Sequence, residues 1–64
     1  MNTIGKNVKK FREQAGLTQE KLADKVNLSL RYIQCIEAGT RIPKTMTLLK
    51  IASVLGITLN DIVY

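Results

Sequence analysis

The sequence predicts an all-α domain of five short helices, and three observations carry that prediction. Apolar residues recur every third or fourth position, Gly or Asn closes each of the first four such runs, and Thr or Ser stands just ahead of three helices. Strand-like alternation occurs nowhere in the chain.

The first helix runs from Ile4, with Ile4, Val8, Phe11 and Ala15 on its inner side and Lys6, Lys9, Lys10 and Glu13 outside. Gly16 ends it, because glycine takes the left-handed backbone that closes a helix, and Leu17 folds back on the last turn. Thr18 offers its hydroxyl as the N-cap of a second helix, in which Leu22, Ala23 and Val26 share a face. Asn27 is the non-glycine residue best suited to a positive φ and turns the chain sharply. Ser29 caps the third helix, about Leu30 to Ala38, with Ile33 and Ile36 inward, Glu37 at the edge and Gly39 as its stop. Thr40 to Lys44, containing Pro43, is the longest loop. The fourth helix carries Leu48, Ile51, Ala52 and Leu55 on one face and stops at Gly56. Thr58 with Asp61 forms an imperfect capping box for a short fifth helix, since Asp stands where Glu or Gln is usual. The apolar tail Ile57, Leu59, Ile62, Val63 and Tyr64 has three open uses: sealing the core, forming a homodimer face, or docking a protein partner.

Size and composition narrow the function. A chain of 64 residues forms one domain, 1–64, and buries roughly 60% of the surface that its unfolded form exposes. It has no His and one Cys, and it lacks metal-spaced ligands, a Gly-rich phosphate loop or a nucleophile–base pair, so the expectation is a non-enzyme without metal or cofactor. Ten Lys and Arg against five Asp and Glu give a net charge of +5 and a pI near 9.7, a balance that favours a polyanionic partner. Cys35 alone makes no internal disulfide, and no apolar run approaches the roughly 20 residues that span a bilayer. The opening MNTIGKNVKK lacks a secretory stretch, so the chain reads as cytoplasmic, with no membrane partner.

The segment Gln19 to Ile36 meets the demands of two helices crossing steeply through a three-residue turn. Ala23 is the small residue where backbones approach, Asn27 is the turn, and Leu22, Val26, Leu28, Ile33 and Ile36 grip from both sides. That leaves the outer face of the second of these helices free to enter a groove.

The stretches IGKNVKKFREQAGLTQEKLA, YIQCIEAGTRIP and TLLKIASVLGITLNDI resemble the lambda-repressor-like helix-turn-helix proteins, the XRE or Cro/cI type, over essentially the whole chain. The resemblance implies a compact five-helix domain with the helix-turn-helix at helices 2 and 3. It also implies a double-stranded DNA partner, transcriptional regulation with repression foremost, and a homodimer on a palindromic operator in a bacterial or phage setting, at the nucleoid. Carried over by position, Ser29, Leu30, Arg31, Gln34 and Cys35 are the base-contacting residues, with Arg31 foremost because its planar fork pairs both acceptors of a guanine edge. Thr18 and Gln19 at the second helix, and Thr40, Arg41 and Lys44 in the loop, are the phosphate contacts. Arg12 and Glu37 match the family's structural ion pair. The chain departs from the pattern at Asn27, where many relatives have Gly, at Pro43-Lys44-Thr45, where Pro-Ser-Leu is frequent, and at Leu30 and Cys35, which replace amides. The alternative is an antitoxin-like or regulatory protein-interaction module in which DNA binding is secondary.

Overall fold

The computed structural model describes residues 3–64. Met1 and Asn2, with which the single-domain and leader readings begin, lie outside the described residues. Five helices follow in order: α1 (Thr3–Gln14), α2 (Gln19–Val26), α3 (Leu30–Ala38), α4 (Thr45–Leu55) and α5 (Leu59–Val63). Among the described residues there is no strand.

The boundaries follow the cap chemistry. Thr18 Oγ1 accepts from the Lys21 backbone N–H at 3.1 Å, and Ser29 Oγ accepts from that of Tyr32 at 3.1 Å. At α5 both halves of the capping box form, with Thr58 N–H donating to Asp61 Oδ2 at 3.0 Å and Asp61 N–H to Thr58 Oγ1 at 3.2 Å. The shorter Asp side chain therefore suffices. Asn27 has φ 59° and ψ 44°, the left-handed conformation that lets Leu28 N–H reach back to the Ala23 carbonyl at 2.9 Å. Lys44 precedes α4 without a side-chain cap bond, as expected of a residue whose ammonium accepts nothing.

α3 packs on α1 and α2, α5 packs on α1 and α4, and α4 also meets α1 and α2. Val8, Leu22, Ile33, Ile36, Ile51 and Ile62 are the largest side chains wholly removed from water. Each contributes about 1.5–3 kcal/mol of hydrophobic stabilisation, which a domain this small needs from nearly every apolar residue. Asn7 Nδ2 donates to the Ile62 carbonyl at 2.7 Å and so ties the first helix to the last. The tail is largely absorbed by the core: Ile62 is fully buried, Ile57, Leu59 and Val63 pack against the cluster, and Tyr64 alone stands out at 89% exposed.

The inner side of α1 differs from the apolar periodicity. Its buried residues are Gly5, Val8 and Arg12, whereas Ile4 and Phe11 are half-buried and Ala15 is exposed beyond the helix end. Two facts of tertiary structure cause the shift. Gly5 lies against the backbone of α3, and Arg12 reaches a partner there that keeps its charge satisfied inside. Glu37, expected at the edge of the third helix, has a side chain only 4% exposed.

Candidate nucleic-acid interface

α3 presents two unlike sides because its 3.6-residue period puts Ile33 and Ile36 inward and turns the intervening positions out. Ser29, Leu30, Arg31 and Gln34 are exposed and Cys35 is half-buried, so the five positions expected to read bases lie along one side or at its edge. Leu30, at 37%, is an apolar side chain left facing water.

Beside them opens a cleft of about 540 Å³ lined by Ser29, Arg31, Tyr32, Cys35 and Arg41. It brings together a guanidinium from the start of α3 and one from the loop after it. Two permanently charged forks in one solvent-facing cleft can donate hydrogen bonds to anionic oxygens or to base-edge acceptors. Tyr32, for which the sequence left a phosphate contact and surface packing equally open, is half-buried and lines the cleft about one helical turn before Cys35.

The loop residues Thr40, Arg41 and Lys44 are all exposed. Thr40 Oγ1 donates to the Cys35 carbonyl at 3.2 Å, and the backbone N–H groups of Thr40 and Arg41 reach the same carbonyl at 3.0 and 3.3 Å, which folds the loop onto the end of α3. At the start of α2, Thr18 is exposed with its hydroxyl engaged as a cap, and Gln19 is half-buried.

Behind this surface lies the ion pair. Arg12 Nε donates to Glu37 Oε2 at 2.6 Å and Nη2 donates to Oε1 at 3.1 Å, while Nη1 donates to the Leu17 carbonyl at 2.7 Å. Glu13 lies 4.0 Å from the same guanidinium. Hydrogen bonding to Glu37 holds Arg12 above its already high ordinary pKa; burial pulls the other way, and the charges of Glu37 and Glu13 add to the rise. The expected pairing of Arg12 with Glu37 is therefore present, and buried. Gln19 Nε2 joins it, donating to Glu37 Oε1 at 3.0 Å. Residue spacing gave no signal of that third member, because it depends on how α2 crosses α3.

Among the described residues no group of His, Cys, Asp or Glu is arranged to hold a metal, and no helix is long and apolar enough to cross a membrane.

Comparison with known proteins agrees with this geometry. The chain is similar to the immunity repressor protein of Bacillus phage phi105, 41% identical over 61 residues that cover 95% of this chain and 42% of the phage protein. It thus spans less than half the length of that relative. Among solved structures it is similar to the restriction-modification controller protein C.AhdI from Aeromonas hydrophila, with a TM-score of 0.90, 30% identity, and coverage of 95% of this chain and 92% of that one. It is equally similar in shape to SinR, the master regulator for biofilm formation, solved in complex with DNA, with a TM-score of 0.90, 26% identity, and coverage of 95% and 98%. The helix-turn-helix family model matches residues 8–62, leaving out only the start of α1 and the last residue of α5, and this places the chain in the XRE-type helix-turn-helix family.

Proposed function

We propose that this domain is a sequence-specific DNA-binding transcriptional regulator, acting as a repressor, that lays α3 in the major groove of double-stranded DNA. The observation that carries the reading is the division of α3: Ile33 and Ile36 have no exposure, while Leu30, Arg31 and Gln34 face solvent beside a cleft holding Arg31 and Arg41. The phage relative's name as a repressor and the DNA-bound state of the SinR structure support it. In this reading Ser29, Leu30, Arg31, Gln34 and Cys35 read bases, and Thr18, Gln19, Thr40, Arg41 and Lys44 hold phosphates. Affinity comes largely from phosphate neutralisation, consistent with the net charge of +5. The protein works in the cytoplasm, at the nucleoid, without cofactor.

Two copies on a palindromic operator complete the reading. The longest extent of the domain is 25 Å, shorter than the roughly 34 Å between successive major grooves on one side of a duplex, so one copy covers one half-site. An apolar surface remains for the partner copy: Met46 and Leu49, three apart on α4, are 73% and 46% exposed, and Ile42 just before the helix is 69% exposed.

Selection of binding sites from random duplex tests both parts. The expected product is a palindromic consensus with half-sites one helical turn apart, bound with an affinity that falls steeply as salt rises. Recovery of sequences no different from the starting pool would end the claim of sequence specificity, and a single unrepeated half-site would end the dimer.

A further inference from the structure

We propose that Glu37, beyond its part in the ion pair, is the positioning residue for the phosphate contact of Gln19; this rests on the DNA-binding reading above. One carboxylate joins three helices here, taking two hydrogen bonds from Arg12 of α1 and one from Gln19 of α2 while standing on α3. Its side chain is 4% exposed, so water competes little for its oxygens.

The chemistry of the three groups fixes what Gln19 offers outward. A carboxylate only accepts, so the nitrogen end of the Gln19 amide must face it, which settles the sense of an otherwise ambiguous group. That nitrogen carries two hydrogens. One is committed to Glu37 Oε1 at 3.0 Å, and the other is left for an outside acceptor. Gln19 is also the first residue of α2, where its backbone N–H and that of Glu20 meet no acceptor among the described residues. A phosphate oxygen brought to this helix end meets an ordered side-chain donor next to two backbone donors and the positive end of the helix dipole.

The ion pair matters twice. Arg12 neutralises Glu37, so the buried carboxylate does not repel an approaching phosphate. Ordering a free Gln side chain costs rotamer entropy, and the bond to Glu37 moves that cost from the binding step to folding. Glu20, exposed in the same turn, opposes a phosphate, which leaves the ordered donors of Gln19 to carry the contact.

A double-mutant cycle on binding to a mixed-sequence duplex at low salt tests the link, because a phosphate contact needs no particular sequence. Gln19→Ala should weaken binding by about tenfold in the native background, as loss of a hydrogen bond to a charged group does. In the Arg12→Met/Glu37→Met background, with folding checked by circular dichroism, the same change should weaken it by less than about twofold. Arg12→Met/Glu37→Gln, which leaves no unpaired buried charge and keeps an acceptor oxygen opposite Gln19, should restore most of the Gln19 effect. Equal losses in the native and double-Met backgrounds would overturn the proposal, since a merely structural Glu37 gives additivity. If the double-Met variant does not fold, amide proton spectra of the native domain decide. One Gln19 side-chain proton should be protected from exchange in the free protein and the other should shift on adding duplex; two freely exchanging protons would overturn it. Native protein that binds duplex but is indifferent to Gln19→Ala refutes this inference alone, whereas native protein that binds no duplex refutes the DNA-binding reading with it.

Discussion

Gly5 of α1 sits so close to α3 that a Cβ built on it would collide with the carbonyl oxygen of Ile36 and stand 2.9 Å from that of Glu37. Both obstacles are backbone, which cannot swing aside as a side chain tip can. Gly5→Ala should therefore destabilise the domain by about 1–3 kcal/mol, the usual cost of overpacking, even after the roughly 1 kcal/mol that alanine gains over glycine inside a helix. Thermal unfolding checks this. A variant as stable as the native chain would mean that α1 and α3 are not held at this distance.

The Arg12–Glu37 pair leads to a paired prediction. Arg12→Met alone strands the Glu37 carboxylate, whose side chain is 4% exposed, and should cost about 3–5 kcal/mol, while Arg12→Met/Glu37→Met should regain most of the loss because no buried charge remains. Denaturant unfolding of the three proteins measures it, and a double variant less stable than the single one would contradict it. The pH behaviour has a definite sign. A cation whose pKa rises on folding contributes fully below its unfolded pKa, and the contribution is lost only as pH climbs through the folded value. For Arg12 that loss lies above the ordinary arginine range, so its contribution should be flat from about pH 6 to pH 10.

Caps and core positions were legible in the sequence because they depend on neighbours along the chain. Thr18, Asn27, Ser29, Gly39, Gly56 and Thr58 stand where the helices begin and end, and Leu22, Ile33, Ile36 and Ile51 are buried as their spacing requires. Apolar periodicity misled on α1, where it chose Phe11 and Ala15. A count of apolar residues assigns no inward role to Gly5, which is there for closeness of backbones, or to Arg12, which is there because Glu37 and the Leu17 carbonyl satisfy it. The candidate interface divides in the same way. Arg31 and Gln34 follow from helical geometry, but the joining of Arg31 with Arg41 in one cleft, and of Gln19 with Glu37 behind it, depends on how separate elements meet.

Asn27 adopts φ 59° and ψ 44° in the turn of the helix-turn-helix. A Cβ-bearing residue without a short polar side chain pays about 1–2 kcal/mol in this region, so Asn27→Ala should lower stability by about 1 kcal/mol and Asn27→Gly should leave it nearly unchanged. Asn27 carries the positive φ of the turn that joins α2 to α3, so Asn27→Ala should also weaken DNA binding by more than its effect on folding when measured well below the unfolding temperature. Equal stability of the Ala and Gly variants would show that the turn does not impose the left-handed conformation.

Arg31 and Arg41 line one cleft yet should fail differently when removed. Arg31 is the second residue of α3, exposed and without a protein partner among the described residues, so Arg31→Ala removes no contact that holds the fold and should change stability by no more than about 0.5 kcal/mol. If its fork pairs a guanine edge as proposed, the same variant should lose about 1–3 kcal/mol of discrimination at one base pair of each half-site, and substitution of that base pair should no longer matter to it. Arg41 enters from the loop, and a residue that contacts phosphate, as proposed for it, carries no sequence information. Arg41→Ala should weaken all duplexes alike and reduce the slope of log affinity against log salt by about one. The comparison separates reading from anchoring because both variants lose the same charge from the same cleft: if Arg31→Ala ranks operator variants as the native chain does while its salt slope falls, Arg31 is a second anchor and base readout must come from Gln34 or its neighbours on α3.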